Sequence, residues 1–180
     1  MKATPFRILV ICTANVCRSP VAEALVRNAA ADAGALVHVS SAGFLSQGEQ
    51  ATPVVAEILG ERGVDISSHR SRTVTAEMIE DADLVVAMER RHVRDLALLS
   101  EPAIGRIDTL GGLVVRLRSA TGDSPADRIA AATAPREAVD MLGHGDDEVD
   151  DPYGKSKRVN RETADRLTEL SGELIASLFG

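Results

Sequence analysis

The sequence has no tryptophan, one tyrosine and three phenylalanines in 180 residues. A site that stacks its ligand among several rings therefore has little to draw on. Only two cysteines are present, Cys12 and Cys17, in one short stretch, and this is no secreted disulfide framework. There is no basic surplus: 20 Lys and Arg stand against 27 Asp and Glu, a net charge of −7. Nothing is left over to neutralise a nucleic-acid backbone, so no nucleic-acid partner is expected. No apolar run approaches the roughly 20 residues of a membrane helix, and no membrane insertion is expected. No cluster of His, Cys and carboxylates has metal-ligand spacing, so neither metal nor cofactor is expected. The opening MKATPFRILV leads straight into the first predicted strand, leaving no room for a signal peptide. The chain reads as cytoplasmic. Its length suits one well-cored domain, and no internal repeat is visible.

What is present is organised around Ile8 to Pro20, ILVICTANVCRSP. Ile8 to Ile11 form a short strand buried on both faces. Cys12 ends it, and Arg18 closes a Cys-x5-Arg loop. Ser19 suits a helix N-cap and Pro20 the first helical turn. The helix then runs to a stop at Gly34. A loop between a strand end and a helix start can turn its N–H groups inward, and the helix terminus adds positive potential. Arg18 offers a planar fork of donors to two phosphate oxygens. Cys12 lies at the base of this cradle, where the same donors favour thiolate over thiol. The implied chemistry is phosphoryl transfer through a phosphocysteine.

Along the rest of the chain, Leu36 to Ser41, Asp83 to Met88 and Ile104 to Leu110 read as further strands. Helices are expected at Pro53 to Arg62, Thr75 to Asp81, Glu89 to Leu99 and 158 to 179. This alternation predicts an α/β fold, a doubly wound four-stranded parallel sheet whose ligands bind at the strands' carboxyl ends. Cys12, Ser41 and Glu89 all fall there. Residues 111–147 are alanine-rich and poor in large apolar side chains. We expect an atypical insertion there, a surface appendage with one helix starting at Ser124-Pro125 and another started or kinked by Pro135, ending near Gly143.

The run CTANVCRSP on a strand-loop-helix closely resembles the active-site loop of the low-molecular-weight protein-tyrosine phosphatases, written C-x-G-N-x-C-R-S-P. Ala14 stands where that family usually has Gly. VSSAG, GVDISSHRSR and ADLVVAMERRHVRDL resemble family landmarks in the same order, and the likeness covers residues 7–110 and 148 to the end. It implies the same fold and a phosphomonoester hydrolase, with a phosphorylated protein or small phosphomonoester as substrate. Cys12 would be the nucleophile and Arg18 the clamp. Thr13, Ala14, Asn15, Val16, Cys17 and Ser19 would form the cradle, and Asn15, Ser41 and His69 a polar network propping it.

The family's Asp-Pro pair matches Asp151-Pro152. A leaving oxygen needs a proton donor, and a carboxyl beside a dianionic phosphate holds its proton more readily. Asp151 is thus the expected acid and Asp150 its neighbour. Tyr153 would supply one wall for a phosphotyrosine ring, whereas the turn after Ser-Ala-Gly offers Phe44 and no Trp or Tyr. Phe44 is either a substitute wall or core. Cys17 is either a partner that traps oxidised Cys12 as a disulfide or a packed thiol. Two other readings remain at this point: an arsenate reductase using an external thiol, and a non-catalytic phosphate-binding module. Nothing in the sequence bears on oligomeric state.

Overall fold

Four short runs of aliphatic residues become four parallel strands: β1 (Phe6–Cys12), β2 (Val37–Gly43), β3 (Leu84–Ala87) and β4 (Ile107–Thr109). They are seen in a computed structural model that describes residues 4–45, 47–137, 140 and 145–180. The order is β2-β1-β3-β4, which places β1 inside the sheet and explains its unbroken apolar run. Cys12 stands opposite Gly43, and Ile11 opposite Ala87. The carboxyl ends of three strands thereby meet at one edge, where ligands of such sheets bind.

Among the described residues seven α-helices connect and cover the strands: α1 (Arg18–Asp32), α2 (Pro53–Gly60), α3 (Ala76–Glu80), α4 (Arg90–Leu99), α5 (Leu110–Leu117), α6 (Pro125–Thr133) and α7 (Lys157–Phe179). Successive strand residues face opposite ways. Ile8, Val10, Val39, Leu84 and Val86 pack against α1, α2, α5, α6 and α7. Leu9, Ile11, Val85, Ala87 and Ile107 pack against α3 and α4. The expected doubly wound architecture is the one observed.

Two local expectations need correction. Ser19 does not cap α1: the helix starts at Arg18, Cys17 holds the cap position, and no side-chain cap bond forms. The Ser19 hydroxyl is spent on the loop instead. Nor is the start of the 111–147 stretch a surface appendage. In α5, Leu110, Leu113, Val114 and Leu117 are at most 4% exposed. Four apolar residues within two turns are enough to seat a helix against the sheet and α7, although the segment as a whole is poor in them. Further on, α6 begins at the Ser124-Pro125 pair as expected and carries a capping box. Arg128 Nη1 donates to the Ser177 carbonyl at 2.8 Å, which ties α6 to the end of α7. The helix expected around Pro135 to Gly143 falls largely outside the described residues.

Candidate active site

Five residues must carry the chain from the end of β1 to the start of α1, and Asn15 makes the turn possible. Its φ is +56°, and among the described residues it is the only non-glycine with positive φ. Left-handed backbone is costly for most side chains, least so for Asn and Asp, and needs support. Here every polar atom of Asn15 is engaged. Nδ2 donates to Ser19 Oγ and to Ser41 Oγ, each at 2.8 Å, and Oδ1 accepts the Arg72 N–H at 2.9 Å. The Asn15 carbonyl lies 2.7 Å from His69 Nε2. A carbonyl only accepts, so His69 carries its proton on Nε2. Ser41 passes its own proton to Glu23 Oε2 at 2.6 Å. Ala14, the departure from the family loop, does not adopt the left-handed conformation, so its methyl brings no such strain. The tight approach is made elsewhere: a Cβ on Gly43 would lie 2.8 Å from both Asn15 N and Thr13 O.

Cys12 Sγ accepts the Asn15 backbone N–H at 3.3 Å and lies 3.0 Å from Ser19 Oγ. Because Ser19 Oγ already accepts from Asn15, its proton is free to point at sulfur. Two donors converge on one buried sulfur, an arrangement that stabilises an anion there. Cys17 is different. Its Sγ lies 3.3 Å from Thr52 Oγ1, and burial pushes its thiol pKa up despite that hydrogen bond.

Arg18 is 1% exposed. Its Nη1 donates to Glu89 Oε1 at 2.6 Å and to the Val149 carbonyl at 2.9 Å. Its Nη2 reaches Thr13 Oγ1 at 3.3 Å and Asp151 Oδ2 at 3.0 Å. The buried Nε has no hydrogen-bond partner among the described residues. One side of the guanidinium is thus committed to protein. The Nε–Nη2 edge, held only by Thr13 and an exposed carboxylate, is the side a phosphate can take.

Glu89, which the sequence places at the ligand edge of the sheet without giving it a role, and His92, which it does not single out, complete the surroundings. Burial works to raise the Glu89 carboxyl, but hydrogen bonds from Arg91 and Arg18 outweigh it, and its pKa ends below the usual range. Glu89 therefore stays ionised and fixes Arg18. Thr13 Oγ1 accepts from Arg18 and, at 3.0 Å, from Arg91 Nη2, so its own proton goes to His92 Nε2, also at 3.0 Å. Burial lowers the His92 pKa to about 4, in keeping with a neutral ring whose Nε2 accepts. Phe44 stacks on that ring with centroids 5.6 Å apart. It belongs to the core rather than to the pocket wall.

A pocket of about 880 Å³ opens over the loop, lined by Cys12, Thr13, Ala14, Val16, Cys17, Arg18, Asp151 and Tyr153 together with Leu45, residues 48–53 and Arg70. Nine of the sequence-expected residues divide cleanly. Thr13, Ala14, Val16, Cys17 and Tyr153 face the pocket beside Cys12 and Arg18. The side chains of Asn15, Ser19, Ser41 and His69 lie behind the loop, so Asn15 and Ser19 support the cradle rather than line it. The Asp151 side chain reaches Arg18, and its Oδ1 accepts the Tyr153 N–H at 3.2 Å. Asp150 is exposed and is not part of the lining. Glu89 was findable, as a lone carboxylate just past a buried strand at the ligand edge of the sheet. His92, reaching across 79 positions to a threonine, left no sequence signal. Among the described residues no group of His, Cys, Asp and Glu is arranged to hold a metal ion, and no helix is long and apolar enough to cross a membrane.

The profile of the low molecular weight phosphotyrosine protein phosphatases matches residues 7–126. The protein-arginine-phosphatase of Bacillus subtilis is 35% identical over 172 residues, covering 95% of each chain. A low molecular weight protein tyrosine phosphatase from T. tengcongensis superposes with a TM-score of 0.76 at 30% identity, covering 96% of this chain and 99% of its own. A mutant of YwlE arginine phosphatase bearing a phosphorylated active-site serine gives a TM-score of 0.76 at 31% identity, with 95% and 94% covered.

Proposed function

This chain belongs to the low molecular weight phosphotyrosine protein phosphatase family, and on that footing we propose that it hydrolyses phosphoryl groups from proteins, phosphotyrosine first among them, through a phosphocysteine on Cys12. The observation that carries the reading is the buried Cys12 sulfur, with donors from Asn15 and Ser19, beside an Arg18 edge whose Nε has no partner among the described residues and whose Nη2 is held by Thr13 and the exposed Asp151 carboxylate, which a phosphate would displace.

In the first step the Cys12 thiolate attacks phosphorus while the bond to the leaving oxygen breaks. Arg18 and the loop amides bind the three oxygens of the transferring group. Asp151 gives its proton to the leaving oxygen. In the second step Asp151 takes a proton from water as that water attacks the phosphocysteine, releasing phosphate and restoring the thiolate. Glu89 keeps Arg18 in place throughout. We read the chain as one phosphatase domain, since both apolar clusters flank the same sheet; residues 111–126 lie within the family match and belong to that domain rather than to an insertion. A cytoplasmic setting is part of the proposal, supported by two buried cysteines in the free thiol form.

Arsenate reduction is not favoured by the relatives, and no cysteine follows Cys17 to run an internal relay. The test pairs p-nitrophenyl phosphate hydrolysis with thiol-dependent arsenate turnover: the first should be robust and the second absent. A second substrate reading has a specific motive. Relatives named arginine phosphatases align over nearly the whole chain, while among the described residues Tyr153 is the lone aromatic lining the pocket. Comparing kcat/KM on phosphotyrosyl and phosphoarginyl peptides decides between them.

The acid assignment has its own test. Only one of two adjacent aspartates points into the pocket, and Pro152 keeps the residue before it extended. Asp151→Asn should cost about 10²- to 10⁴-fold on a phenyl phosphate and far less on an activated nitrophenyl ester. Asp150→Asn should be mild on both. A steep leaving-group dependence in Asp150→Asn instead would move the acid by one residue.

A further inference from the structure

The acidic run Asp146-Asp147-Glu148 has the look of a solvated turn, yet two of its carboxylates are fixed. Asp147 Oδ1 accepts from Arg90 Nε and Nη2, each at 2.8 Å. Its Oδ2 accepts from Thr109 Oγ1, the N-cap of α5, at 2.7 Å. Glu148 Oε1 accepts the Arg90 backbone N–H at 2.8 Å. It satisfies the first turn of α4, whose own N-cap residue, Glu89, has its side chain turned to Arg18 and Arg91. The Val149 N–H donates to the Met88 carbonyl at 2.8 Å, and its carbonyl accepts from Arg18. Three consecutive residues are tied to the end of β3, the start of α4 and the cap of α5. Asp151 follows two residues later.

Glycines make room for this seat. A Cβ on Gly111 would lie 2.5 Å from the Asp147 carbonyl oxygen, and one on Gly112 would lie 3.1 Å from Asp147 Oδ2. A Cβ on Gly145 would collide with Arg90 Nη2 and Asp147 Oδ1. Two glycines in the first turn of α5 weaken that helix; their placement against one residue, Gly111 at the Asp147 backbone and Gly112 at its carboxylate, explains them. Asp151, by contrast, has a side chain 43% exposed, and among the described residues its carboxylate meets Arg18 and the Tyr153 N–H alone. A side chain so lightly held depends on its backbone for position.

We propose that Asp147 is a positioning residue for the general acid: its clasp on Arg90 and Thr109 fixes where the chain turns into Asp150-Asp151, and so holds Asp151 over the leaving oxygen. This rests on Asp151 being the acid.

The experiment measures kcat/KM, which reports formation of the phosphoenzyme, on aryl phosphates of rising leaving-group pKa. It compares the parent with Asp151→Asn, Asp147→Ala, Asp147→Asn and Gly111→Ala. Asp151→Asn should show the steepest dependence. Asp147→Ala and Gly111→Ala should fall on the order of 10- to 100-fold on phenyl phosphate, as a misplaced catalytic group does, and change little on p-nitrophenyl phosphate. Asp147→Asn keeps an acceptor for Thr109 and should lie nearer the parent. Vanadate inhibition should be unchanged in the Asp147 and Gly111 variants, showing the fold and cradle intact. Gly111→Ala removes no charge and favours helix, so it tests displacement of the Asp147 backbone with every charged group still present. Should Asp147→Ala fail to fold, Gly111→Ala and Asp147→Asn carry the test. If Asp151→Asn steepens while Gly111→Ala and the Asp147 variants fall equally on all substrates or not at all, the proposal is overturned and the acid assignment stands. If Asp151→Asn shows no steepening, the acid assignment falls, and this proposal with it.

Discussion

Replacing Cys12 with serine should leave no measurable turnover of p-nitrophenyl phosphate while phosphate and vanadate still bind. The cradle does not depend on sulfur. The Asn15 N–H at 3.3 Å and the Ser19 hydroxyl at 3.0 Å can serve an oxygen in its place, and the Asn15 network behind the loop is untouched. What is lost is the nucleophile, because a serine hydroxyl is a far weaker one at neutral pH without a base beside it. Among the described contacts of Ser19 and Asn15 no such base reaches the position. Steady-state hydrolysis and a binding titration on the same preparation separate the two effects. Retained hydrolysis in Cys12→Ser would sink the mechanism.

Arg18→Lys should fail nearly as badly, by about 10²- to 10³-fold or more in kcat, the scale of losing a preorganised transition-state donor. The guanidinium holds Glu89, the Val149 carbonyl and Thr13 while keeping the Nε–Nη2 edge for phosphate. A lysine ammonium is a point charge with no planar fork. It cannot answer Glu89 and grip two phosphate oxygens together. Vanadate should bind correspondingly more weakly. Near-parent activity would show that Arg18 does not clamp the phosphate.

The fold was largely legible because buried parallel strands leave a plain signal. Ile8 to Ile11 and Leu84 to Met88 are unbroken apolar runs separated by helix-length segments, and that alternation dictates a sheet covered on both faces. The α5 helix is not read from sequence because judging the whole 111–147 stretch by composition dilutes Leu113, Val114 and Leu117, and Leu110, which seats the helix with them, falls at the end of the expected strand. Ser19 was read as a cap because capping is a local rule. The competing use of its hydroxyl, on Cys12 and Asn15, exists only once the loop has closed.

The site divides along the same line. Cys12, Arg18 and Asp151 could be placed by chemistry and resemblance, since each residue type is demanded by a step of the reaction. Glu89 and His92 act through contacts to Arg18 and Thr13 across 71 and 79 positions, and only the tertiary structure brings those together. Asp147 was hidden in the opposite way. Its neighbours in sequence are acidic, so it looked like a member of a solvated cluster until its partners Arg90 and Thr109 were in view.

The central claim is a covalent phosphoryl group on Cys12, and rapid acid quench during turnover of saturating p-nitrophenyl phosphate, followed by peptide mass spectrometry, tests it most directly. The account predicts one phosphoryl group on the peptide containing Cys12, absent in Cys12→Ala. A phosphoryl group on any other side chain, or turnover with the chain unmodified throughout the pre-steady-state phase, would contradict it.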